Sequence, residues 1–199
     1  MLTFPDLDKL RDRYDELSFQ EFRSWCQQIA ATWPEQAYWD APAVSRFLDF
    51  TQADDVVELG GWDGALAQAV MRPGMDWLNL EVTEVPQVCT FPDFHLKVLE
   101  DWPWTWDDWG DVLIMSHVIE HMSVEHLRSL LRRCESRAVY VDAPLSEESG
   151  TNWRGSPTSH ILPLSFIEVD ALFFEHGFDR IHTEYTPAAN VGSTIRWYA

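Results

Sequence analysis

Apolar residues recur at Phe19, Phe22, Trp25, Cys26 and Ile29, a spacing of three and four that lines one face of a helix until Pro34 intervenes. Ser18-Phe-Gln-Glu21 opens the pattern as a capping box, in which the two side chains satisfy backbone N–H groups of the first turn. A shorter helical pattern, Val44, Phe47, Leu48, ends near Thr51. From residue 55 the texture changes to short apolar runs: Asp55–Leu59, Trp77–Glu81, His95–Leu99, Asp111–Met115 and Ala138–Asp142. Each is too short for a helix and reads as a buried parallel strand. Helical stretches at Asp63–Arg72 and Ser123–Cys134 supply crossovers, and a second capping box, Ser165-Phe-Ile-Glu168, opens a helix that stops at Gly177. Phe178–Tyr185 and Val191–Tyr198 resemble a closing antiparallel pair. The pattern predicts one α/β domain over residues 1–199, with a helical extension at 1–50 and a doubly wound, mostly parallel seven-stranded core at 51–199, helices on both faces.

Composition narrows this picture. With 199 residues, 46% hydrophobic and 24% charged, the chain has apolar material for one full core. No apolar run reaches the roughly 18–20 residues of a membrane span. The first residues carry Asp6, Asp8 and Lys9 where a secretory signal has a basic start and an apolar block, so the expected location is the cytoplasm. Cys26, Cys89 and Cys134 are far apart and form no C-x-x-C pair, which reads as reduced thiols in or near the core. A formal net charge of −19 repels polyanions, so nucleic acid is not expected as a partner. Arg128, Arg132, Arg133 and Arg137 cluster, and their expected role is favourable charge near a helix carboxyl end.

The chemistry-bearing stretch is Val56-Val-Glu-Leu-Gly-Gly-Trp-Asp-Gly64, where an apolar strand runs into glycines and then a helix, the layout of a nucleotide-binding turn. Glu81 closes the next strand, where a carboxylate can accept both hydroxyls of a ribose. The segment Glu58-Leu-Gly60-Gly-Trp62-Asp-Gly64 resembles motif I of the class I S-adenosylmethionine-dependent methyltransferases (type 11-like), whose pattern is E/D-x-G-x-G-x-G, with Trp62 in place of the middle glycine. Asp111-Val-Leu-Ile-Met-Ser-His-Val-Ile-Glu-His-Met122 is similar to that family's fourth strand and its continuation, and Ser159-His160 with Leu164-Ser-Phe-Ile-Glu168 to its sixth-helix region. The resemblance covers roughly residues 50–199 and implies a Rossmann-like fold and S-adenosyl-L-methionine as cofactor. It also implies donor-binding roles. Glu58 would organise the turn and face the donor's amino-acid part, Gly60, Gly61 and Gly64 would make room, and Glu81 would hold the ribose. Asp101 would meet the adenine amino group, Trp102 would stack on the base, and Ser116 would line the donor site. The alternatives are a capped strand end for Glu58, a solvated strand terminus for Glu81, and sheet-edge packing for the tryptophans between residues 100 and 109.

Methyl transfer needs a base only where the acceptor must lose a proton. His117, following the fourth strand, and His160, in the polar loop after the fifth, are the candidates, with Asp142 to orient one of them; a structural histidine is the competing reading of each. His117-Val-Ile-Glu-His121 is also literally H-x-x-E-H, the inverted zincin pattern, but a metalloprotease needs it inside a helix and here it begins at a strand mouth. Glu120, His121 and His160 further resemble part of the E-x-x-E-H metal site of small-RNA 3′-end methyltransferases, from which His117 departs; no metal is assigned. The expected activity is methylation of a small-molecule acceptor at an oxygen of a sugar or metabolite. The helices before residue 50 and the loop Pro144–Pro163, with Asn152, Trp153 and Arg154, would form the acceptor pocket. A donor-binding module without catalysis is the alternative that Trp62 favours.

Overall fold

The computed structural model describes residues 16–32, 40–144, 162, 164–187 and 192–199. Two helices precede the sheet, α1 (Phe19–Thr32) and α2 (Ala41–Thr51). Then follow β1 (Asp55–Leu59), α3 (Ala65–Val70), β2 (Asp76–Glu81), β3 (Phe94–Val98), β4 (Val112–Ser116), α4 (Val124–Arg133), β5 (Ala138–Ala143), α5 (Phe166–Glu175), β6 (Arg180–Pro187) and β7 (Gly192–Tyr198). The strands form one seven-stranded sheet in the order β3-β2-β1-β4-β5-β7-β6. Five strands are parallel, and β7 pairs antiparallel with both β5 and β6. The order reverses between β1 and β4, and in open α/β sheets such a switch point opens a crevice at the carboxyl ends of the strands.

Because successive side chains of a strand point to opposite faces, the sheet carries two cores. On one face Val57, Leu80, Leu113, Met115, Val139 and Val141 pack with α4 and α5, through Leu127, Leu130, Phe166 and Phe173; Phe19 and Phe22 of α1 join this cluster. On the other, Val56, Trp77, Val112, Ile114 and Tyr140 meet α2 and α3, through Val44, Phe47, Leu48 and Ala67. Burial on both sides explains why β4 and β5 read as continuous apolar runs rather than alternating ones.

Both capping boxes form. Ser18 and Glu21 exchange hydrogen bonds ahead of α1, and Ser165 and Glu168 do so ahead of α5. Strand limits differ from the sequence expectation by up to two residues, the most at β6, whereas α3 spans Ala65–Val70 instead of Asp63–Arg72. The cause is local: Gly64 precedes the helix at φ +73°, and Met71 is already extended ahead of Pro73. At the far edge, Asp170 of α5 accepts from Arg196 (2.5 Å) and Tyr198 (2.7 Å) of β7 and from Arg180 of β6, tying the antiparallel pair to the helix. The arginines around α4 behave as surface charge, Arg133 pairing with Asp107, Arg137 with Asp111 and Arg128 with Glu125. No helix of the described residues is long and apolar enough to cross a membrane.

Candidate functional site

The turn after β1 is wound left-handed at alternate residues: Gly60 has φ +71°, Trp62 +52° and Gly64 +73°. A tryptophan in that region is strained by about 1 kcal/mol or more and persists only where its surroundings hold it. Here they do, because the Trp62 N–H donates to Glu81 Oε2 at 3.1 Å, while its carbonyl accepts from Asn79 Nδ2 at 3.2 Å and Gln87 Nε2 at 3.0 Å. Trp62 thus adopts the conformation that a glycine would take at its position. The glycines themselves are required by packing. A Cβ on Gly60 would stand 2.8 Å from Val118 Cγ2, one on Gly61 would stand 2.4 Å from the Glu58 carboxyl, and one on Gly64 would stand 2.6 Å from the ring of Phe94.

Glu58 lies beneath the turn, buried, with Oε2 accepting the Trp77 indole N–H at 2.9 Å. Burial pushes its pKa up to about 8, against the indole hydrogen bond, and the nearby charges of Asp40, Glu81 and Asp63 raise it further. Glu81 stands at the end of β2, 5% exposed, and its second oxygen accepts from the Val82 N–H at 2.7 Å. Burial raises its pKa, opposed by these backbone donors. Helix α1 packs on the core beside the end of β2, and the Cys26 thiol, its pKa raised by burial and then by the charge of Glu81, lies in the field of that carboxylate. Beside it Phe22 and Phe19 contact the Trp102 ring at centroid distances of 4.8 and 5.5 Å, and His126 contacts it at 5.1 Å.

At the exits of β4 and β5 a second group of polar side chains gathers. His117 is again left-handed, φ +54°, and its N–H donates to the Asp142 carbonyl at 2.7 Å. Its ring lies 3.3 Å from Glu120 Oε1 through Nδ1 and 3.8 Å from Asp142 Oδ2 through Nε2. Asp40, just before α2, accepts the Ser116 hydroxyl at 2.6 Å. Burial alone would lower the pKa of His117, but the Glu120 hydrogen bond and the charges of Glu120, Asp142 and Asp40 together lift it to about 9. Burial lifts Asp142 to about 6, opposed by His117.

No family model matches the chain, and no curated protein matches it in sequence. Solved structures match it in shape. CalO1, a methyltransferase of calicheamicin biosynthesis with S-adenosylhomocysteine bound, aligns with a TM-score of 0.62 at 17% identity over 81% of this chain and 53% of its own. The 1,6-didemethyltoxoflavin-N1-methyltransferase of Burkholderia thailandensis aligns with a TM-score of 0.64 at 13% identity, covering 90% of this chain and 85% of that one. Magnesium protoporphyrin IX methyltransferase from Synechocystis aligns with a TM-score of 0.62 at 13% identity over 81% and 82%. The chain has the class I methyltransferase fold. It spans about half the length of CalO1.

Within that fold the predicted residues separate into groups. The glycine turn, Glu58 and Glu81 come together on adjoining parallel strands. Ser116 and His117 lie across the switch point on β4 and its exit, in contact with Asp40, Glu120 and Asp142. Asp101 is exposed, with one oxygen accepting the N–H of Trp102 at 2.8 Å. Trp102 differs most from expectation, since its ring packs on Phe19, Phe22 and His126. The expectation that glycine leaves room for a ligand is also modified, because side chains of the protein fill the Cβ directions of Gly60, Gly61 and Gly64. His160, Asn152, Trp153 and Arg154 lie outside the described residues. The H-x-x-E-H run occupies a strand exit and a three-residue 3-10 turn, Ile119–His121, so its members do not share an α-helical face as a zincin requires. Among the described residues no group of His, Cys, Asp and Glu has the arrangement of a metal site.

Asn79, Gln87 and Asp40 take part in the site and were not singled out from the sequence. Asn79, whose Oδ1 accepts the Gly61 N–H at 3.0 Å, is a fully buried amide inside an apolar strand, a signal legible in the pattern. Asp40 precedes Ala41-Pro42 and reads as an ordinary helix start, so nothing in the sequence distinguishes it.

Proposed function

We propose that the chain is a single-domain methyltransferase, acting in the cytoplasm, that moves a methyl group from S-adenosylmethionine to an oxygen of a sugar or other small metabolite. The observation that carries this reading is the pairing of a left-handed turn at residues 60–64 with the Glu81 carboxylate, 3.1 Å from the Trp62 N–H, at the carboxyl ends of neighbouring parallel strands. The residues fit the donor. A carboxylate offers about four acceptor positions, and with the Trp62, Val82 and Thr83 N–H groups directed at it Glu81 keeps one for a ribose hydroxyl. When bound, S-adenosylmethionine supplies a methyl on a positively charged sulfur with a good leaving group, so alignment by the protein matters most, worth about 7–11 kcal/mol in oriented reactions.

The remaining work falls to the chain's own side chains. Glu81 orients the sugar, Asp101 is available to the base, and Glu58 holds the turn from below. His117 accepts the acceptor's proton in its neutral form, with Asp142 and Glu120 orienting the ring; His160 remains the other candidate base. The neighbours support a small acceptor, since the toxoflavin enzyme was solved with 1,6-didemethyltoxoflavin and S-adenosylhomocysteine together. The net charge of −19 supports it as well, by repelling polyanions.

A second reading is a donor-binding domain without turnover. Glu81's burial, with both oxygens already accepting backbone N–H groups, favours it. Turnover separates the two. Incubation with labelled donor and a panel of hydroxylated and amino metabolites should yield a methylated product above the rate of donor hydrolysis. Saturable donor binding with no product from any acceptor would leave the second reading standing.

A further inference from the structure

The two edges of the sheet are defended differently. β3 closes one of them and presents His95 and Lys97 to solvent. Charge on an edge strand, lysine above all, deters pairing with another chain. β6 closes the other edge, and among the described residues no strand pairs with its outer side. It has eight residues, no lysine, and a proline only at its last position. Its register with β7 shifts once, between Arg180 and His182, which leaves residues 182–187 in regular pairing. An edge strand of this kind turns alternate backbone N–H and C=O groups outward, ready for a further strand.

Apolar surface collects at the same place. Among the described residues the exposed large apolar side chains are Phe50, Val88, Ile167, Phe174, Ile181 and Tyr185. Ile181 (43% exposed) and Tyr185 (67%) belong to β6. They lie on the side of the sheet that α5 packs against, since Thr183 between them pairs with Arg196, whose guanidinium reaches Asp170 of α5. Ile167 and Phe174 stand three residues before and four after Asp170, which also holds Arg180 of β6, so they line the flank of the helix beside that strand. On the other side of the sheet Phe50 of α2 lies against Trp197 of β7. Val88, in the segment after β2, is the exception. Charge is balanced along β6, Arg180 against Glu184, in a chain whose net charge is −19. Two copies therefore meet less repulsion at this strand than over the molecule as a whole.

We propose that two copies of this chain associate through β6, antiparallel about a two-fold axis at Thr183, joining two seven-stranded sheets edge to edge. A two-fold axis makes a strand its own partner, and the sequence of β6 suits that role. Ile181 falls opposite Tyr185 of the second copy, and Tyr185 opposite Ile181, so an aromatic meets a β-branched residue on both sides of the axis. His182 falls opposite Glu184 in the same way, repeating between copies a pair that stands 3.5 Å apart within one chain. Moving the axis by one residue spoils the match. At Glu184 it sets that carboxylate against its own copy, and at His182 it sets imidazole against imidazole; either shift separates Ile181 from Tyr185. The flank of α5 widens the apolar contact on one face of the joined sheet, and Phe50 does so on the other. The association does not depend on the methyltransferase reading.

Sedimentation of the full chain from about 1 to about 100 μM reads the association, and amide hydrogen exchange over the same range reads the surface that forms it. The expected result is a monomer–dimer equilibrium in which the amides of β6 gain protection as concentration rises while those of β3, the other edge, do not. T183K sets a lysine against its own copy at the axis and should weaken the dimer at least about tenfold. Thr183 is exposed, so the fold has room for the longer side chain. The substitution also makes the chain less negative, so a general increase in repulsion cannot account for the loss. V88K makes the same change of charge and removes the exposed apolar residue that lies away from β6, and it should leave the equilibrium as in the wild type. A monomer throughout the range, a dimer without protection of β6, a dimer that survives in a folded T183K protein, or a V88K protein as weakened as T183K would each overturn the proposal. Where T183K does not fold, the exchange comparison between β6 and β3 in the wild type decides by itself.

Discussion

Trp62 and His117 are described residues held at positive φ without being glycine, and each borders the crevice. The third such residue, Gln52, merely ends α2. Strain of this kind clusters where a site over-determines the backbone, which is consistent with the turn and the β4 exit being the working parts. The buried acids give the site a pH signature. Glu58 has a folded-state pKa near 8, above its ordinary value of 4.5, so the folded chain binds more protons than the unfolded chain between those pH values. Its contribution to stability is therefore full below about 4.5 and is lost as pH rises through 8. Urea titrations of wild type and E58Q should show the shallower decline for E58Q, by up to about 1.4 kcal/mol per pH unit in that window. His117, raised to about 9, acts in the same direction between 6.5 and 9. It also sets a rate profile: if its neutral form takes the acceptor proton, initial rates with a hydroxyl acceptor should climb about tenfold per unit toward pH 9 and then level. A rate flat from pH 7 to 9 would exclude His117 as the base.

Elements were legible where local rules and tertiary packing agree. The capping boxes at Ser18 and Ser165 marked two helix starts because they satisfy their own first turns, whatever lies outside. The apolar runs marked β1, β4 and β5 because strands buried on both faces have little room for polar residues. What was not legible depends on contacts between distant segments. Nothing local reveals that Asp40 reaches Ser116, or that α1 brings Cys26 into the field of Glu81 and takes up the ring of Trp102. The packing of α1 has a measurable consequence. F22A removes a ring that lies 4.8 Å from Trp102 and should loosen α1, so that Cys26 reacts with a thiol reagent at least about tenfold faster, with Cys89 and Cys134 as internal references. An unchanged Cys26 rate in a folded F22A protein would show that α1 is held by other contacts. At the opposite edge, D170N removes the carboxylate that pairs with the nearly buried Arg196. Denaturant unfolding should register a loss of about 3–5 kcal/mol, typical of breaking a buried ion pair.

For the whole molecule, the sheet order brings the turn after β1, the end of β2 and the exits of β4 and β5 to one rim, although residues 58 to 142 are spread along the chain. That rim gathers the buried acids Glu81, Asp40, Glu120 and Asp142, the last three around His117, while Glu58, with a pKa near 8, is largely uncharged at neutral pH. Such a field favours cations, and the donor's sulfonium is one. The account stands on Glu81 as the grip on the donor's sugar, and calorimetric titration with S-adenosylhomocysteine tests it most directly. Wild type should bind saturably at one site, and E81A should bind at least about tenfold more weakly, as loss of hydrogen bonds to a charged group implies. An unchanged dissociation constant in E81A, or no binding by the wild type, would contradict it.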